Sequence, residues 1–142
     1  MNAKTVTIYN YRQVNKAESW HKTVISGLEY RYTTEKTVSS SGTIVHTPIL
    51  TVIIPVDADA EGKQYIDYPS YLKLTESEIG LYWTINPKCN KEVIVCGVCD
   101  KEITADYRVD QLKRDYLKAG IVSALDDNTE GALLKHWKVV CR

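Results

Sequence analysis

The chain is expected to fold as a mainly β domain, a small antiparallel β-barrel or sandwich with one short α-helix near residues 110–119. Three observations carry that expectation. Val, Ile and Thr make up 39 of the 142 residues, and their branched side chains suit a pleated surface better than a helix. Most apolar residues recur at period two, in short runs punctuated by Pro, Gly or polar clusters. Only one segment repeats its apolar residues at the spacing of a helix. The length and the 44% hydrophobic and 25% charged content fit one globular domain spanning residues 1–142.

The elements follow in order. From Thr5 to Tyr11, Val6 and Ile8 share one face and Thr5, Thr7 and Tyr9 the other, as in a half-buried strand. In residues 20–32, Trp20, Val24, Leu28, Tyr30 and Tyr32 share a parity, and Ser26-Gly27 marks a bulge. Thr33 to Gly42 is polar, with three consecutive serines, and reads as a flexible loop. Leu50, Val52, Ile54 and Val56 then align on one face of a strand in residues 43–56, with Pro48 and Pro55 at an edge or strand end.

Asp57 to Gln64 reads as a solvated loop, and Tyr68 to Leu72 opens a short helical turn. Leu81, Trp83 and Ile85 alternate up to the turn at Asn86-Pro87, and residues 93–96 read as a strand buried on both faces. Val109, Leu112, Tyr116 and Leu117 form the helical stripe, with Asp110 as N-cap and Gly120 as stop. Two strands follow, 121–125 and 133–141, joined by a polar turn over 126–131. About six to eight short strands and one helix suit a small barrel or sandwich.

Composition excludes some functions. Equal numbers of basic and acidic residues, 18 each, argue against a basic clamp that displaces counterions from nucleic acid. The most apolar stretch, Ile49 to Val56, falls well short of the roughly 20 residues of a membrane-spanning helix. Residues 1–7 lack the apolar core of a signal peptide, so a reducing cytosol and four free thiols are expected.

Chemistry has few footholds. Cys96-Gly97-Val98-Cys99 is the sharpest motif, with Cys89 and Cys141 as the remaining thiols. A zinc site needs four convergent ligands, usually from two paired motifs. Here one pair lies in a strand-like run whose positions 96 and 99 face opposite ways. Small apolar filling is the expected role, and a zinc module or metal-dependent enzyme built on Cys89, Cys96, Cys99 and Cys141 is the alternative. His21, His46 and His136 have no partner at ligand spacing, and Asp57/Asp59 and Asp126/Asp127 read as solvated turn residues. No phosphate loop or nucleophile elbow is visible, so neither an enzyme nor a cofactor is expected. The basic clusters Lys113, Arg114, Lys118 and Lys135, His136, Lys138, Arg142 read as solvated faces. Ten tyrosines against no phenylalanine point instead to surfaces that are part dry and part wet, with Tyr30, Tyr32, Tyr68 and Tyr71 as candidates for a subunit interface.

The order of short patterns resembles a family. TVTIYNYR, WHKTVISGLEY, TVIIPVDADAEGKQYI, WTINPKCNKEVIVCGVCDKEI and YRVDQLKRDYLKAGIVSALDDNTEGALLKHWKV are similar to a family of short tailed-phage and prophage proteins from the head–tail connector gene cassette. Glu92 to Gly97 and His136 to Val139 carry most of the likeness, and Lys88 to Lys91 departs from it by replacing a tight Gly-containing turn. The resemblance implies a virion structural protein made in the bacterial cytoplasm. Connector adaptors are mainly helical and tail terminators carry sizeable helices, so a strand-rich chain is expected in the head-completion, or stopper, layer. A tail terminator or minor tail protein is the alternative. The implied partners are a ring of about 6–12 copies of the chain itself, neighbouring adaptor and terminator proteins, and passing double-stranded DNA, with no membrane. The loop residues Glu35, Lys36, Thr37, Val38, Ser39, Ser40 and Ser41 would gate the channel or meet a neighbouring ring.

Overall fold

A computed structural model describes residues 4–130 and 134–142. Six strands close into an antiparallel barrel: β1 (Lys4–Val14), β2 (Ala17–Val38), β3 (Ile44–Pro55), β6 (Val93–Cys96), β7 (Ala119–Asp127) and β8 (His136–Cys141). Their order around the barrel is β1-β2-β3-β8-β7-β6, with β6 pairing back onto β1. Leu133, expected to begin the last strand, lies outside the described residues.

The interior is filled from every strand: Val6 and Ile8, Ile25 and Leu28, Leu50, Val52 and Ile54, Ile94, Val122, and Trp137, Val139 and Cys141. β2 departs from simple alternation. Its register slips beside Gly27, which has φ +84° and drops out of pairing with β1. A bulge reverses the faces of all residues beyond it. Ile25 and Leu28 therefore both point inward, whereas Trp20 joins a second core on the outside. The single parity expected for Trp20, Val24 and Leu28 is corrected by that slip.

β1 is buried on both faces rather than one. Tyr9, Val93, Val95, Cys99, Ile103 and Leu112 make the second core, under the segment that carries α2 (Val109–Asp115). The helix is shorter than expected. Arg108 is its N-cap, its backbone N–H donating to the Gln111 side-chain oxygen at 3.0 Å, and Asp110 lies in the first turn, where its charge suits the helix dipole. Gly120 is not the helix stop but the second residue of β7. A Cβ there would come within 2.9 Å of Cys141 Cβ and 3.1 Å of the Cys141 carbonyl carbon, so close packing of β7 on β8 demands glycine.

Between β3 and β6, residues 56–92 pack onto the interior cluster through Ala60, Trp83 and Ile85 and serve as a plug. This segment contains β4 (Gln64–Tyr65), parallel to β5 (Tyr82–Trp83), and α1 (Tyr68–Tyr71). The α1 start is set by Asp67, whose carboxylate accepts from the Ser70 amide at 2.9 Å.

Candidate interaction surface

The polar run over residues 33–42 is a strand-paired hairpin arm rather than an irregular loop. β2 continues through Thr33, Thr34, Glu35, Lys36, Thr37 and Val38, paired in register with Ile49 back to Ile44. Thr and Val are good strand formers, and they extend the ladder once the chain has a partner strand. The turn closes with Gly42 N–H donating to the Ser39 carbonyl and Ser39 N–H donating to the Thr43 carbonyl, both at 2.9 Å. Ser39 and Ser41 hydroxyls lie 2.8 Å apart within it.

The arm stands clear of the barrel. β1 pairs with β2 only as far as Leu28, and β8 pairs with β3 only from Leu50. Among the described residues neither outer edge of the arm is paired within the chain, and Glu35 to Ser41 are exposed throughout. Apolar residues sit on it regardless: Val38 is 63% exposed, Ile44 51% and Val45 45%. Unpaired edges together with exposed β-branched residues are the features through which a sheet edge can pair with another chain.

The four tyrosines expected at an interface divide. Tyr30 and Tyr32, at the base of the arm, pack partly against the barrel interior, and Lys4 Nζ lies 4.5 Å above the Tyr30 ring. Tyr68 is half-buried. Tyr71 is 1% exposed, because α1 turns it into the protein's own interior, and it presents nothing to a neighbouring subunit.

The cysteines do not converge. Cys96 and Cys141 touch the barrel interior, whereas Cys99 lies in the outer core with the Tyr9 hydroxyl 3.0 Å from its sulfur. Cys89 sits apart, its thiol bonded to the Asn86 carbonyl. All four are free thiols. Burial pushes the thiols of Cys89, Cys96 and Cys141 up, away from the thiolate that a metal or nucleophile requires. Among the described residues no group of three or more His, Cys, Asp and Glu side chains is placed to share a metal ion. His21 is half-buried and pushed down by desolvation, and His46 is exposed on the arm.

A buried polar cluster escaped the sequence reading. Glu92 is fully buried, and its carboxylate accepts from the amides of Asn86 (2.7 Å) and Tyr11 (3.0 Å). Desolvation pushes it up to about 8 against the opposing pull of those amides and of Asn10. Asn10 exchanges two hydrogen bonds with the Thr84 backbone, and Arg12, also buried, donates to the Leu74 carbonyl. These residues fasten the plug to β1. No sequence signal separates Glu92 from an exposed glutamate, because its partners are backbone amides far apart in the chain.

Two hollows open on the described surface. One, of about 440 Å³, is lined by Trp20, Ile103, Val109, Ile121 and the charged Glu18, Lys91 and Arg108, among others. Glu18 is held by Lys91 Nζ at 2.6 Å and by the Tyr11 hydroxyl. The other, of about 480 Å³, lies where β3 ends and is lined by Pro55, Val56, Ala58, Lys63, Tyr65, Trp83 and Trp137, with Gln64. Its aromatic wall is mutually packed: the Tyr65 ring is 5.1 Å from Trp83 and 4.4 Å from Trp137. No helix is long and apolar enough to cross a membrane among the described residues.

Comparison with curated proteins yields no match, and neither does comparison with solved structures. Over residues 1–142 the chain matches the model of a family of unknown function, DUF6751, and it belongs to that family.

Proposed function

We propose that the chain is a non-catalytic virion subunit at the head–tail interface. In this reading it is a head-completion or stopper protein whose copies form a ring around the DNA channel. The observation that carries the reading is the projecting arm, with unpaired edges and exposed Val38, Ile44 and Val45. Such an arm costs stability in an isolated protein and gains it on contact with a neighbouring chain. The resemblance of the ordered sequence patterns supplies the context, and a closed barrel with little helix suits the stopper layer. Zero net charge suits a wall past which DNA must slide, since a strongly basic lining would hold it.

The test is localisation in tailed-phage particles whose genome encodes the chain. Electron microscopy is expected to show a ring of it between the portal adaptor and the tail. Its presence in the tail tube alone, or its absence from purified particles by mass spectrometry, would overturn the proposal. Deleting residues 36–41 is expected to abolish ring assembly or DNA retention.

A further inference from the structure

We propose that copies of this chain associate head to tail, the arm of one seated in the Tyr65–Trp83–Trp137 hollow of the next. The inference rests on the oligomeric reading above and names the two surfaces that reading leaves open.

Geometry makes the contact intermolecular. β3 begins in the arm at Ile44 and ends at Pro55 on the rim of the hollow. A strand of that length spans about 35–40 Å, so the tip of the arm and the hollow lie at opposite ends of the same straight element. The arm cannot reach its own hollow. Two different patches that meet between copies make a heterologous contact, the kind that generates rings when the rotation closes.

Size matches. The hollow's volume of about 480 Å³ falls within the range of roughly 300–1,000 Å³ that encloses a small ligand, so a few aliphatic side chains fit. Its rim residue Val56 is 46% exposed, and Val38, Ile44 and Val45 are the complementary exposed apolar residues on the arm.

Charge sets the direction. The arm end carries exposed Arg31, Lys36, Lys118 and Arg142. Arg142 follows Cys141, which pairs with Leu50 where the arm leaves the barrel, and its carbonyl accepts from Ile121 in β7. Glu35 is the opposing exposed charge on the arm, since Glu29 is paired with Lys4 at 2.8 Å. The hollow end carries exposed Asp57, Asp59, Glu61, Asp126, Asp127 and Glu130, outnumbering Lys63, Lys135 and Lys138. The charges named here are mainly basic beside the arm and mainly acidic beside the hollow. Head-to-tail contact brings opposite signs together, whereas arm-to-arm contact juxtaposes like ones.

The experiment uses the full chain with a benzophenone amino acid at position 40 in isotope-labelled copies, mixed with unlabelled wild-type protein. Crosslinks are expected on residues 55–65 or on Trp137 of the unlabelled copy. Their yield should rise with protein concentration and fall severalfold as salt goes from about 0.05 to about 0.5 M. Asp57→Lys is expected to lower the yield about two- to fivefold and Lys36→Glu in the arm-bearing copy to restore it. Crosslinks onto residues 33–48 of the neighbour would show symmetric arm pairing; they would overturn this contact and leave the ring reading standing. Crosslinks elsewhere, or a monomer at every concentration, would likewise overturn it, while the ring reading is decided separately by localisation in particles.

Discussion

The two halves of β2 live in different physical worlds. From Ala17 to Leu28 the strand pairs with β1, and its Thr23, Ile25 and Leu28 are buried. From Thr33 to Val38 it pairs only with β3, and Thr34 to Val38 are all exposed. One half is held by packing between two cores, the other by ladder hydrogen bonds and by whatever covers its apolar residues. Substitutions should therefore unfold the body and spare the arm, whereas assembly should respond in the reverse order.

The largest effect is expected from Trp83→Ala. Trp83 is 3% exposed and joins the plug to the barrel interior beside Tyr65 and Trp137. Its loss should cost about 3–5 kcal/mol in urea unfolding. Less than 1 kcal/mol would mean that the plug is not part of the cooperative unit.

Glu92 gives the body a pH signature. Its carboxyl is raised in the folded protein to about 8 from an ordinary 4.5. Below the ordinary value both states hold the proton and nothing is lost. As pH rises from there, the unfolded chain ionises first, so stability should fall up to about pH 8 and level off beyond. Glu92→Gln removes the ionisation and should flatten this slope, as read by thermal melts at stepped pH.

Gly120→Ala tests the tight approach of β7 to β8. The added methyl meets Cys141 Cβ at 2.9 Å, and overpacking of that kind costs about 1–3 kcal/mol. The smallest effect belongs to the arm. Val38→Asp with Ile44→Asp should leave monomer unfolding within about 0.5 kcal/mol, as for other exposed positions. A destabilisation comparable to that of Trp83→Ala would show that the arm packs on its own body.

The same contrast explains what the sequence disclosed. β1 and β6 were legible because Val6 and Ile8 alternate with Thr5, Thr7 and Tyr9, and Val93 to Cys96 form a short unbroken apolar run. The bulge at Gly27 was legible too, but its reversal of faces was not, since the inward set beyond it depends on register with β1. The arm was not legible because Ser, Thr and Gly serve turns and exposed strands alike, and only pairing of Thr33–Val38 with Ile44–Ile49 decides between them. Gly120 looked like a helix stop because a glycine after a helix usually is one, and the contact that requires it comes from Cys141. The hollow combines residues from β3, the plug and β8, so no local pattern announces it.

β2 runs unbroken for 22 residues, a rod of about 70 Å with its tip outside the barrel and its middle in the wall. The strand is stiff against stretching and most easily bent at Gly27. There the neighbouring Ser26 exchanges hydrogen bonds of 2.8 and 2.9 Å with Asp59 of the plug. Force applied at the arm tip consequently enters the barrel as a torque about that bridge. A pull on the arm would lever on the barrel wall beside the start of the plug.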